Sequence, residues 1–386
     1  MKKTVLFALL CAGISVTVAQ EAETISARLV YSDAKTNTLN VMNVADRKKI
    51  ASFSTPGKIT YVQASGSKQH LIAAHRADNR ITVLNSGLST EDHGDHKDLK
   101  EAAPYITATM NVGKQPTHYF VHDKTIAFFN DGDGTVSILD EDKLGLSMDF
   151  EQIKTAQPDH GALVVLENQV LVGYLRLGRI DVFERKTGKL QQTLEGCPAL
   201  HGEAMHSSGM YWGCGDGVML VKRDGEKFSA TKIANPAGTP ANTRVGTLAE
   251  SSKHNFVIGN FGKGIAFVDP TKAVLEIMAL PANPVKMEFL ENGVLIVLTV
   301  DGNLHSLDVT KRSVIASVNV TPAVRTTGEG IVRPSFAIMQ DRVFVTNPEQ
   351  GIIVEVNTSK MSVARRIAVG GTPASIAISM AQGVKH

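Results

Sequence analysis

Only three cysteines punctuate the 386 residues, aromatic side chains make up 5%, there is a single tryptophan, and opposite charges nearly cancel at a formal +2. So few cysteines exclude a small scaffold stapled by many disulfides. A near-neutral chain with neither a basic stripe nor an aromatic RNA-binding motif excludes nucleic acid and anionic membrane as natural partners. The serine nucleophile elbow, the phosphate-cradling glycine loop and the HExxH pair are absent too. Asn130-Asp131-Gly132-Asp133-Gly134 imitates a calcium loop but lacks the glycine and terminal glutamate of EF-hand spacing, so it reads as a hairpin turn.

Long apolar runs are missing except at the start. Met1-Lys2-Lys3-Thr4, an apolar run from Val5 to Val18 and small residues near Ala19 have the layout of a secretory signal peptide over residues 1–20. That run is too short for a membrane span of about 20 residues, and Ala8-Leu9-Leu10 before Cys11 does not make a lipoprotein signal. A soluble, periplasmic, monomeric protein without membrane insertion is expected. Cys11 leaves with the signal, so Cys197 and Cys214 remain in a compartment where disulfides persist. An even pair reads as one disulfide; two buried free thiols are the alternative.

What the chain does have is repetition. Short runs of Val, Ile, Leu, Phe and Thr with period-two alternation, broken by Gly, Asn and Asp turns, recur about every 40 residues, the period of a propeller blade. Innermost-strand starts fall near residues 59, 117, 159, 200, 244, 285, 335 and 374. The expected fold is therefore an all-β closed propeller of residues 21–386 with eight blades, seven being the fallback because 305–333 is hard to phase. Pro373 to Ile378 has no room for three further strands, whereas Arg28 to Phe53 supplies three strands without a start. The N- and C-terminal strands should complete one blade together and close the ring. The segment from Val343 to Pro373 also resembles the YVTN-type repeat of bacterial propellers, which supports the fold and says little of function.

In such a ring, residues at one blade position meet around the axis. His118, His160 and His201 step by 42 and 41 residues through three consecutive blades. Three converging imidazoles make a Zn²⁺ site with a fourth position open, although a lone channel histidine is commonly just hydrogen-bonded. Glu203, two residues beyond His201, should face the same channel, while Asp159 should point to the other side of its strand. His75, at the end of a second strand, lies on the same face and is a further candidate. Glu91-Asp92-His93-Gly94-Asp95-His96-Lys97-Asp98 sits in an insertion at about 86–104, where charge density predicts a mobile loop. His93, Asp95 and His96 are its candidate metal ligands; a solvated charged loop is the alternative reading. The root of this insertion falls on the face opposite the triad.

A signal peptide, a propeller with axial histidines and a His/Asp-rich insertion together resemble the AztD family of periplasmic zinc metallochaperones. The resemblance covers essentially the mature chain and rests on His118, His160, His201 and the segment Glu91 to Asp98. It implies Zn²⁺ as cargo, no enzymatic activity, and delivery to the periplasmic solute-binding protein of a zinc ABC importer. A chaperone that binds tightly yet releases its ion is expected to do so by direct ligand exchange, an incoming histidine taking the open position before an outgoing one leaves. The competing readings are a propeller enzyme, whether a metal-assisted hydrolase or a quinone-dehydrogenase-like subunit, and a plain interaction scaffold.

Overall fold

In this computed structural model, which describes residues 23–385, strands are arranged as eight four-stranded antiparallel sheets plus one two-stranded hairpin. The expected signal segment lies outside the described residues. The eight innermost strands are Tyr61–Ala64, Pro116–His122, Gly161–Val165, Glu203–His206, Leu248–Ala249, Pro284–Phe289, Phe336–Met339 and Pro373–Gly383. Taken in that order they define blades one to eight, and the sequence-derived starts fall within a few residues of them. Among the described residues no helix is long and apolar enough to cross a membrane.

Burial follows position within the blade. The second strand of blade three, Gln169–Tyr174, is buried throughout because neighbouring blades cover both of its faces. The outermost strand of blade seven, Ser362–Ala368, is mostly exposed and carries Arg365 and Arg366, charges that discourage edge pairing with another chain. Between blades the core is continuous. Phe129 and Ile138 of blade two, Val164 and Tyr174 of blade three, and Trp212 and Met219 of blade four belong to one buried cluster, which fixes the mutual positions of these three blades.

Closure joins the two ends of the chain. Thr24–Asp33 pairs antiparallel with Pro373–Gly383, with Leu29 opposite Ile378 and Tyr31 opposite Ile376, and Thr38–Asn43 and Lys49–Ser54 complete blade eight. A half-buried ion pair reinforces the adjoining seam: Arg47 of blade eight meets the buried Glu355 of blade seven at 2.8 Å.

The insertion at 86–104 departs from the irregular loop expected of it. Leu88–Asp92 and Lys97–Glu101 pair as a hairpin. Leu88 and Leu99 are buried, and the Leu99 N–H donates to the Val384 carbonyl at 2.8 Å, so the hairpin lies along the end of the C-terminal strand. Two leucines within a run of charges were enough to anchor it.

Deleting residues 373–386 removes the inner strand of blade eight and exposes the edge of Thr24–Asp33 that it covers. Loss of buried Ile376 and Ile378 alone costs about 2–4 kcal/mol each, so thermal denaturation should show Tm lower by roughly 10 °C or more. An unchanged Tm would show that closure is dispensable.

Candidate metal centre

Loops that enter an innermost strand, and turns that join second to third strands, share one face of the ring. His118 sits early in Pro116–His122, His160 immediately precedes Gly161–Val165, and His201 lies two residues before Glu203–His206. The segments of His160 and His201 reach the axis through tight approaches that glycine permits. At Gly134, φ is +64° and a Cβ would lie 2.5 Å from the Gln157 carbonyl carbon, in the loop that delivers His160. At Gly213 a Cβ would lie 2.5 Å from the His201 carbonyl oxygen. A disulfide joins Cys197 and Cys214, with Cα atoms 4.9 Å apart, and ties the loop of His201 to the second strand of its own blade.

The three imidazoles converge. Nε2 of His160 is 3.1 Å from Nε2 of His118 and 3.2 Å from Nε2 of His201, and the ligand atoms of all three lie within 4.8 Å of one another. Tetrahedral coordination at Zn–N distances of about 2.0–2.1 Å requires nitrogens about 3.3 Å apart, so the two measured separations already approximate two edges of such a shell. The outer nitrogens orient the rings. His160 donates from Nδ1 to Asp131 Oδ2 at 2.8 Å, and His201 donates from Nδ1 to the Gly246 carbonyl at 2.7 Å. Both bonds assign the proton to Nδ1 and leave the Nε2 lone pair facing the centre.

Electrostatics favour neutral rings there. Burial, followed by the proximity of His160 and His201, pushes the His118 pKa down to about 3. Burial likewise lowers that of His201. Around Asp131, burial acts to raise the pKa, but hydrogen bonds from His160, Thr117 and Arg76 prevail and hold it below the usual carboxylate value. The result is a cluster in which His118 and His201 favour the neutral, donating form and His160 is backed by one buried anion, a set that suits a borderline divalent cation.

Asp131 was passed over in the sequence because it belongs to the turn read as a plain hairpin. Its role comes from a neighbour in the next blade, which no local pattern marks. Asp159 is oriented as expected, turned away to Arg176 at 3.1 Å.

Other sequence candidates fare differently. His75 is completely buried, with Nδ1 3.2 Å from the Gly57 carbonyl and Nε2 2.9 Å from Thr82 Oγ1, so both ring nitrogens are engaged away from the cluster. Glu203 shares with His118 and His201 the lining of a cleft of about 860 Å³, but it is not among the three residues whose ligand atoms cluster. Burial pushes its pKa up to about 8, and its Oε2 has no hydrogen-bond partner among the described residues.

On the hairpin, the ligand atoms that cluster are those of Glu91, His93 and Asp98. Asp98 faces both imidazoles, His93 at 3.3 Å and His96 at 3.2 Å, whereas Asp95 is mostly exposed and reaches His96 at 2.8 Å. A charged run had suggested the segment, but strand pairing, which decides who faces whom, selects Asp98 over Asp95.

Fold and site thus define an eight-bladed propeller with a tri-histidine cluster near its axis whose ligand atoms are close enough together to hold a metal ion. Over its whole length the chain is similar to the zinc chaperone AztD of Citrobacter koseri, at 28% identity across 411 aligned residues and 95% of that protein. A crystal structure of Citrobacter koseri AztD superposes with a TM-score of 0.84 at 25% identity, covering 93% of this chain and 99% of that one. A structure of apo AztD from the same organism gives 0.82 at 24% identity, over 94% and 100% respectively. The dihydro-heme d1 dehydrogenase NirN shares the propeller alone, with a TM-score of 0.61 at 11% identity, over 90% of this chain and 74% of that one. No family model matches the sequence. The full-length relative is named a chaperone and not an enzyme.

Two outcomes follow from this geometry. Asp131→Asn keeps the shape but removes the charge behind His160, and zinc affinity in a competition titration should fall about 10- to 100-fold; equal affinity would remove Asp131 from the site.

The second concerns pH. The folded-state pKa of His118 lies near 3, below its ordinary 6.5, so its neutral form contributes stability that is complete above 6.5 and is lost as pH falls toward 3. The Tm of metal-free protein should therefore drop between pH 7 and 4 more steeply in wild type than in His118→Asn, and parallel curves would contradict the assignment.

Proposed function

We propose that this protein is a periplasmic zinc chaperone that holds Zn²⁺ as cargo on His118, His160 and His201 and passes it to the solute-binding protein of a zinc ABC importer. The observation that carries this reading is the convergence of three Nε2 atoms, two of them with lone pairs aimed inward by Asp131 and Gly246. The whole-chain similarity to a protein named zinc chaperone supports the choice of metal and role. The signal-like start at Met1-Lys2-Lys3 supports export.

Three protein donors leave one position of a tetrahedral ion for water or an incoming ligand. An acceptor imidazole or carboxylate enters there before a chaperone histidine leaves, and the ion never becomes free. The partly exposed cluster suits this exchange: His160 keeps 30% of its side chain accessible. On the opposite face, the hairpin residues Glu91, His93 and Asp98, with His96 and Asp95 beside them, form a looser second station for the ion.

Zinc titration of stripped protein beside His160→Ala tests the site. One tight zinc should disappear in the variant, and its retention would move the site to the hairpin. Transfer to the solute-binding protein should outpace release to a non-interacting chelator, and equal rates would exclude direct exchange.

A further inference from the structure

A second recess, of about 530 Å³, opens on the same face as the triad. Lys58, Arg76 and Arg333 wall it together with the hydroxyls of Thr60, Ser335 and Ser375, and among the described residues no carboxylate lines it. These residues come from the loops entering the innermost strands of blades one and seven, the start of that of blade eight, and the turn between the second and third strands of blade one.

The cations are unequally compensated. Arg76 meets Asp131 at 3.2 Å. Lys58 belongs to no ion pair among the described residues, and Arg333 donates to the Thr326 carbonyl at 3.2 Å. A concave wall with two uncompensated cations repels a metal ion and concentrates anions. The planar guanidinium of Arg333 is also matched to a carboxylate.

The recess and the triad are linked through one side chain. Asp131 Oδ2 accepts from Arg76 on one side and from His160 on the other. A group seated against Arg76 is thus one residue away from a metal ligand.

We propose that this recess is the docking point for an acidic, carboxylate-bearing segment of the protein that receives the ion. The proposal rests on the transfer reading above and adds the chemistry by which the acceptor is oriented. Ile59, Ile331 and Val332 supply an apolar wall beside the cations, which suits a peptide segment better than a free inorganic anion. A partner held there presents its own ligands at the open coordination position, so opposite charge sets both encounter rate and register. Arg76 is bound to the metal-site network, whereas Lys58 and Arg333 are not, so these two can be changed independently of the site.

The test uses the full chain and its Lys58→Glu/Arg333→Glu variant. A fluorescent hexaglutamate peptide, followed by anisotropy, should bind wild type and not the variant, with the Lys58→Gln/Arg333→Gln protein intermediate. Zinc affinity and release to a chelator should be the same in all three. The second-order rate of transfer to the solute-binding protein should fall roughly tenfold or more in the charge-reversed variant, and rising salt should slow wild type but not the variant.

Peptide binding isolates the recess from the transfer reading: it is expected even if transfer proves to go through free zinc. Absence of peptide binding to wild type, or equal binding to the variant, overturns the proposal. Peptide displacement by equimolar inorganic phosphate makes the recess a small-anion site and also overturns it. Normal peptide binding with a transfer rate unchanged by the variant separates the recess from the acceptor, and the docking role falls.

Discussion

The pairing of Thr24–Asp33 with Pro373–Gly383 is the constraint on which the site depends. A row of sheets could curve to any radius if its ends were free. Once the first and last strands are hydrogen-bonded, the number of blades fixes the angle between neighbours, and that angle determines how near their inner strands come. His118, His160 and His201 never approach one another along the chain. The separations of 3.1 and 3.2 Å between His160 and its two partners express the curvature of the closed ring together with the shared packing of Phe129, Tyr174 and Trp212 from the same three blades.

Much of this architecture could be read from residue order because a propeller is a periodic object. The 40-residue recurrence counted the blades, and the incomplete unit at each end indicated how the ring closes. The histidine spacing of 42 and 41 residues placed three rings at one register, since a blade-long step in sequence is a fixed rotation about the axis. Interactions that cross between blades by other offsets were illegible. Asp131 reaches His160 from a turn 29 residues earlier, a separation that matches no repeat. His75, at the end of a second strand, was placed on the same face as the triad, but its ring is turned between Gly57 and Thr82, a choice made by side-chain packing. In the insertion, composition weighed charge and missed that Leu88 and Leu99 suffice to seat a hairpin on the C-terminal strand.

The centre balances two opposed electrostatic demands. To receive a cation the rings must be uncharged, and burial and mutual proximity favour that form at His118 and His201. To retain the cation they need negative charge within reach, supplied by Asp131 just behind His160 and not in the space between the rings. Placing the anion one hydrogen bond back increases donor strength without filling the coordination position. The unpaired Glu203 oxygen shows the alternative: a carboxyl buried without such partners is driven toward its neutral form.

The covalent link in this region has a limited reach. Cys197 and Cys214 belong to the same sheet, so their bond braces one spoke of the wheel and does not rivet it to the next. Each ligand therefore rides on a separate spoke, held to its neighbours by side-chain packing and single hydrogen bonds. A small tilt of one spoke alters one corner of the nitrogen triangle while the other two keep their spacing, so that under the zinc-transfer proposal the grip on the ion loosens one ligand at a time.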